Sequence, residues 1–212
     1  MEEHQVKTGT TTVGIVCKEG IVLAADRRAT AGYLVASKKA DKIHKITDNV
    51  AVTIAGTVSD AQLLIRYSQS ELRIKKMRTG EETTVKEAAN LIARLIYSNI
   101  RKFSTIPGIA HFLIGGKDST GFYLYDVYPD GSISICDDYI SSGSGSVMAF
   151  GVLETLYVKN ISIDEGVKLA AKCINAAVQR DIASGDGFEI YTITSDGIKK
   201  VADKELKVKA EA

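Results

Sequence analysis

The chain has 212 residues, of which 45% are apolar and 25% charged, and its net charge is +1. That balance suits an ordinary globular protein that can bury a large core in one domain, or at most two small ones, without disulfides. Near-neutral charge without a basic run or an aromatic–basic stripe argues against nucleic acid as the main ligand, and no apolar stretch nears the roughly 20 residues of a membrane helix.

The nine-residue start is polar and lacks an apolar h-region, so it is not a secretory signal. The cysteines Cys17, Cys136 and Cys173 are odd in number and form no Cys-x-x-Cys pair. They read as reduced thiols of a cytosolic protein. His4, His44 and His111 show no metal-ligand spacing, and no cofactor is implied.

The first third reads as strands. Residues 10–17 are β-branched, Lys18-Glu19-Gly20 forms a short turn, and residues 21–26 return. A second hairpin joins 40–46 to 50–56 around Asp48-Asn49. Ser59 with Gln62 reads as a capping box that opens a helix running to about residue 78 and stopping at Gly80. Thr84 with Glu87 is a second box. After it Val85, Ala88, Ala89, Ile92, Leu95, Ile96 and Phe103 recur at helical spacing, until Pro107-Gly108 ends the segment. Strands are predicted at 111–115, 122–128 and 132–136, with a turn at Pro129-Asp130-Gly131. A glycine-serine stretch precedes a helix over 147–158. Ser162 with Glu165 is a third box, opening a helix to about residue 182. Strands at 188–194 and 198–201 close the chain around Asp196-Gly197, and the charged tail from 203 is predicted to fray. Strands, two helices, strands, two helices, strands: this order predicts an α+β fold. Two antiparallel sheets pack face to face in four αββα layers, with a helix pair on each outer side.

If Cys17 faces Ile21 across the first turn, Thr10 lies opposite Arg28 and Thr12 opposite Asp26. Positions 10, 12, 26 and 28 then share one face of the sheet. The second hairpin sets Lys42 within about one pair of Ile54 and Gly56. Such a cluster has two readings. It is a structural ion pair with a bystander hydroxyl, or an activated nucleophile. A threonine hydroxyl needs a base. An α-amine, with an unperturbed pKa of about 7.7–8.0, is a usable one at neutral pH, provided Thr10 becomes the first residue.

Five blocks tip the balance. Gly9-Thr10-Thr11-Thr12-Val13-Gly14-Ile15 comes first and Ala25-Asp26-Arg27-Arg28 second. Ile54-Ala55-Gly56 with Asp60-Ala61-Gln62 is the third. Ser142-Gly143-Ser144-Gly145-Ser146 and Gln179-Arg180-Asp181-Ile182-Ala183-Ser184-Gly185 complete them. Together, in this order, they resemble the proteasome β-subunit family over nearly the whole chain, in an archaeal or similar prokaryotic form.

The resemblance implies an N-terminal-nucleophile hydrolase fold and a threonine endopeptidase. Residues 1–9 would be a propeptide, and 10–212 one catalytic domain freed by cleavage at Gly9–Thr10. Thr10 would be the nucleophile, with Asp26 and Lys42 as the paired charges beside it. Gly56 would be the oxyanion donor. Ser144, Asp181 and Ser184 would hold the amine, Arg28 would support them, and Thr30 would meet the substrate backbone. Ala29, Ala40, His44, Ile54, Val58 and Gln62 would line the side-chain pocket, whose apolar Ile54 favours cleavage after hydrophobic residues. None of these positions departs from the family pattern, which favours an active subunit over a silent, structural ring subunit. The resemblance also implies partners: a heptameric β ring, α-subunit rings, a regulatory ATPase ring reached through them, and polypeptide substrates, all in the cytoplasm. The glycine-serine stretch lacks the Gly-Lys-Ser/Thr ending of a phosphate loop, which leaves ATP hydrolysis to a partner.

Overall fold

The structure, a computed structural model, describes residues 9–105 and 107–205. Most of the proposed leader, residues 1–8, and the end of the charged tail, residues 206–212, lie outside the described residues. Two five-stranded antiparallel sheets dominate. The first has the order β10(Tyr139–Ser142), β1(Thr12–Cys17), β2(Gly20–Asp26), β11(Gly187–Thr194), β12(Gly197–Glu205). The second is a meander of β5(Ile43–Lys45), β6(Val50–Gly56), β7(Ala110–Asp118), β8(Gly121–Val127) and β9(Ile133–Cys136). A separate two-stranded ribbon, β3(Ala29–Ala31) with β4(Leu34–Ser37), leaves the first sheet just beyond Asp26.

Three apolar layers give the expected αββα sandwich. Ile21, Leu23, Leu124 and Ile193 fill the space between the sheets. Helices α1(Val58–Thr79) and α2(Val85–Ile100) bury Leu64, Ile92 and Ile96 against Phe112 and Ile114 of the second sheet. Helices α3(Ser146–Leu156) and α4(Ile163–Val178) bury Leu153, Leu169 and Ile174 against Ile15 and Val22 of the first. β2 and β7 are therefore covered on both faces, which is why they read as near-continuous apolar runs.

Local signals placed two helix starts correctly. Thr84 and Ser162 accept from the N3 backbone N–H while Glu87 and Glu165 reach back, so both capping boxes form. The box at Ser59 does not. β6 runs almost directly into α1, Thr57 is the N-cap, and the Ser59 hydroxyl donates instead to Asp60. Helix α2 ends at Ile100 and leaves Phe103 fully exposed, outside the apolar stripe. Helix α4 ends at Val178, short of the predicted 182. There the N–H groups of Arg180 and Asp181 both turn back to the Ala177 carbonyl, which swings the following loop toward Thr10.

The first hairpin is one residue tighter than predicted. Cys17 pairs with Gly20 around the two-residue loop Lys18-Glu19, so Thr12 lies opposite Ala25. The ladder continues with the Asp26 N–H on the Thr11 carbonyl at 3.1 Å. Asp26 therefore faces Thr11, and the shared face for positions 10, 12, 26 and 28 is not formed. The closing hairpin shows the same shift, with Thr194 opposite Gly197. β12 then continues to Glu205, so residues 203–205 are paired with β11 and not frayed.

All three cysteines are free, and burial is the first cause that pushes each thiol up to about 12. At pH 8 a thiol with that pKa is roughly one ten-thousandth ionised, against about a quarter for an unperturbed one. The native protein is expected to react with a thiolate-selective alkylating reagent roughly a thousandfold more slowly than a free thiol, and to become reactive on unfolding. Stoichiometric labelling of the native chain within minutes at pH 8 would contradict this.

Candidate active site

The site forms where the central strand of the first sheet, β2, ends beside the start of β5. Asp26, the last residue of β2, is fully buried and accepts four bonds. Its Oδ1 takes the Thr11 N–H at 2.9 Å and the Lys42 ammonium at 2.6 Å. Its Oδ2 takes the N–H groups of Arg28 and Gly185, each at 3.0 Å. A carboxylate out of water requires this degree of satisfaction. Lys42 is itself only 4% exposed. Burial pushes its ammonium below the ordinary lysine value, and the charge and hydrogen bond of Asp26 pull the other way.

Thr10 sits just ahead of β1. Its hydroxyl donates to the Gly9 carbonyl at 2.7 Å, and its N–H donates to Ser144 Oγ at 3.3 Å. Ser144 donates in turn to Asp181 Oδ2 at 2.6 Å, which also receives Ser184 Oγ at 2.6 Å. Ser184 shares a further 2.7 Å bond with the Thr11 hydroxyl. Two loops thus converge on Thr10-Thr11, one after β10 and one after α4. The first loop comes that close only because Gly143, at φ +89°, has no side chain; a Cβ there would overlap the Thr10 carbonyl. Arg28 braces the second loop, with Nε on Asp186 at 2.7 Å and Nη1 on the Ile182 carbonyl at 2.8 Å.

A cleft opens over this cluster. Thr10, Lys42 and Gly56 line it, together with Gly9, Ala29, Thr30, Ala40, Ile54, Val58 and Gln62. Gly9 is held there by its N–H, which donates to Thr30 Oγ1 at 3.1 Å. The cleft combines a hydroxyl, a buried ammonium, a glycine backbone at φ +108° and an apolar wall. This brings a hydroxyl, a fixed positive charge and backbone polar groups to one opening, the kinds of group that acyl-transfer chemistry uses.

A family model described as proteasome subunit matches residues 6–193. The chain belongs to the proteasome family. Relatives named proteasome subunit beta place it with the β-type members. The one from Ferroglobus placidus is 45% identical over 98% of this chain and 97% of its own length. That from Methanothermobacter thermautotrophicus is 40% identical over 100% and 99%, and that from Methanocaldococcus vulcanius 42% over 93% and 87%. The family model therefore covers both sheets except β12 and the last residue of β11, all four helices, and both loops that close on Thr10.

Of the residues singled out in the sequence, the fold brings Thr10, Asp26, Lys42, Gly56, Ser144, Asp181, Ser184, Arg28 and Thr30 into one connected region. His44 stands apart: its ring bonds the Asp41 carbonyl at 3.1 Å, and it is not among the residues that line the cleft. Ser37, Asp41, Ala55 and Ala61 line the cleft without having been foreseen. Ser37 lies on β4, in a ribbon too short to announce itself by pattern. Glu189, whose carboxylate reaches the backbone of Lys42, was also missed; a lone acid inside an apolar strand was the available signal.

Asp26→Asn would turn an NH2 group toward donors and leave Lys42 buried without its counter-charge. The variant is expected to lose about 3–5 kcal/mol of stability, the usual cost of breaking a buried pair by removing one partner. A denaturant midpoint within error of the wild type would show that Asp26 does not hold this region together.

Proposed function

We propose that the chain is a threonine endopeptidase of a proteasome core particle, made as a precursor that cuts itself between Gly9 and Thr10. The observation that carries this reading is the Thr10 hydroxyl lying 2.7 Å from the Gly9 carbonyl oxygen, inside the cleft that Lys42 and Gly56 also line. In the first reaction Thr10 Oγ attacks the Gly9 carbonyl carbon. The peptide C–N bond breaks and an ester forms, which frees the Thr10 amine. Water then hydrolyses the ester, releasing the leader with a Gly9 carboxylate and restoring the hydroxyl.

The freed amine becomes the base for its own side chain on each later substrate. Ser144, backed by Asp181 and Ser184, stands where the Thr10 nitrogen is and would orient that amine. The Lys42 ammonium, held by Asp26, would lower the cost of forming the alkoxide. The Gly56 N–H would receive the negative oxygen of the tetrahedral intermediate, a contribution of about 2.7–4 kcal/mol in comparable sites. Gly56 tolerates no side chain, since a Cβ would overlap the Ile109 carbonyl.

Thr30 would align an extended substrate through its backbone, as it does Gly9. Ala29, Ala40, Ile54 and Val58 give the pocket an apolar wall and favour cleavage after hydrophobic residues. The family assembles in rings. We place this chain in a heptameric β ring between α-subunit rings, in the cytoplasm, with unfolded polypeptide fed by an ATPase ring.

Thr10→Ala is expected to abolish both leader release and peptide hydrolysis, read by intact mass and by a fluorogenic peptide. Retained hydrolysis would remove Thr10 as the nucleophile. A Cβ on Gly9 would overlap the Cβ of Ala183, which explains glycine at this position. Gly9→Ala should therefore slow leader release by about tenfold or more, and adding Ala183→Gly, which removes the worst overlap, should recover part of the rate. Release at the wild-type rate in Gly9→Ala, or no recovery in the double variant, would refute the steric account.

A further inference from the structure

Glu189 is the one charged residue of β11, and it is fully buried. It lies on the same face as Tyr191 and Ile193, which pack between the sheets. An apolar residue would ordinarily serve such a position better, because taking a carboxylate out of water is costly. Its Oε1 accepts two consecutive backbone N–H groups, from Lys42 at 2.8 Å and from Ile43 at 2.9 Å.

Successive N–H groups of an extended strand point opposite ways. Two neighbours converging on one oxygen mark a bend in the backbone, a small concavity that suits an anion. β5 is only three residues long and pairs with β6 on one side alone, so the bend just ahead of it is held by a single ladder bond at the Lys42 carbonyl and by Glu189. Every polar group of Lys42 is then fixed, each from a different strand. The N–H goes to Glu189 on β11, the carbonyl accepts from Ile54 on β6 at 2.9 Å, and the ammonium goes to Asp26 on β2.

Behind Glu189 a chain of charges returns to the same bend. Lys200 Nζ lies 3.1 Å from Oε2, off the hydrogen-bonding direction, and bonds Asp203 at 2.7 Å. Asp203 pairs with Arg27, whose other arm bonds Asp41 at 3.0 Å, next to Lys42.

We propose that Glu189 is a positioning residue for the reaction: it holds the bend at Lys42–Ile43 through both amide N–H groups, and so aims the Lys42 ammonium at Asp26 and the cleft. It does not itself line the cleft. It acts through Lys42, so the inference rests on the role given to Lys42 above.

What matters here is the reach of one acceptor oxygen to two N–H groups, and the charge is secondary. The assembled particle would be made with Glu189→Gln, Glu189→Asp, Glu189→Ala and, in parallel, Lys42→Ala. Turnover of a fluorogenic peptide would be measured per mole of chain beginning at Thr10, with leader retention scored as the same loss one step earlier. Glutamine keeps the reach, and its kcat should stay within about threefold of the wild type. Aspartate keeps the charge but is one methylene short, and should lose about tenfold. Alanine should lose about a hundredfold, the scale of an ångström's misplacement. KM should stay within about twofold throughout, since substrate contacts are untouched.

Should the alanine variant fail to assemble, the order of glutamine above aspartate still decides. Aspartate outperforming glutamine, or a loss confined to KM, would overturn the proposal. An active Lys42→Ala would overturn the role of Lys42 and this inference with it, whereas an inactive Lys42→Ala beside a reversed order would overturn the inference alone.

Discussion

One buried carboxylate ties the site together. Asp26 has no exposure to water, yet it collects an N–H from the segment ahead of β1, one from its own chain beyond β2, one from the loop after α4, and the ammonium of Lys42. Four donors from four stretches of chain offset the cost of dehydrating one charge. Each donor is placed in turn by where that charge sits. The approach of Thr10 to its neighbours and the direction of Lys42 follow from the same contact.

The sandwich makes such a contact possible. The two sheets meet over a dry layer of Ile21, Leu23, Leu124 and Ile193, and the polar cluster lies at the rim of that layer, where β2 ends and β5 begins. Rigid ladders on both sides hold the charged groups still, while the loops that carry Ser144 and Asp181 come from the first sheet and its helices. Glu189 repeats the logic of Asp26 one strand away. A second buried carboxylate again receives backbone N–H groups, here from a stretch that pairs with β6 on one side only. The two acids approach Lys42 from opposite ends, one at its side chain and one at its backbone.

Short-range signals were legible where the physics is local. Capping boxes at Thr84 and Ser162 need only four consecutive residues and formed as read; the one at Ser59 failed because β6 runs into α1 with a single residue between them. Hairpin register was read one residue too long, because a glycine after two polar residues looks like part of the loop when it opens the return strand. The ribbon β3–β4 and strand β10, three or four residues each, carry too little pattern to stand out from loop. Helix α4 looked longer because Arg180 and Ile182 continue its composition. A reverse turn closed by the Ala177 carbonyl is invisible to periodicity.

Sequence by itself determined the layer order, the starts of α2 and α4, the family resemblance and, through it, Thr10, Asp26, Lys42 and the two serines as candidates. These follow from periodicity, from caps and from motifs of adjacent residues. Only the tertiary structure decided that Asp26 faces Thr11 and that Glu189 grips the backbone of Lys42. Those outcomes depend on partners more than a hundred residues apart, or on a register where one step reverses every side chain. Such relations exist only once the sheets have packed and water has been excluded from between them.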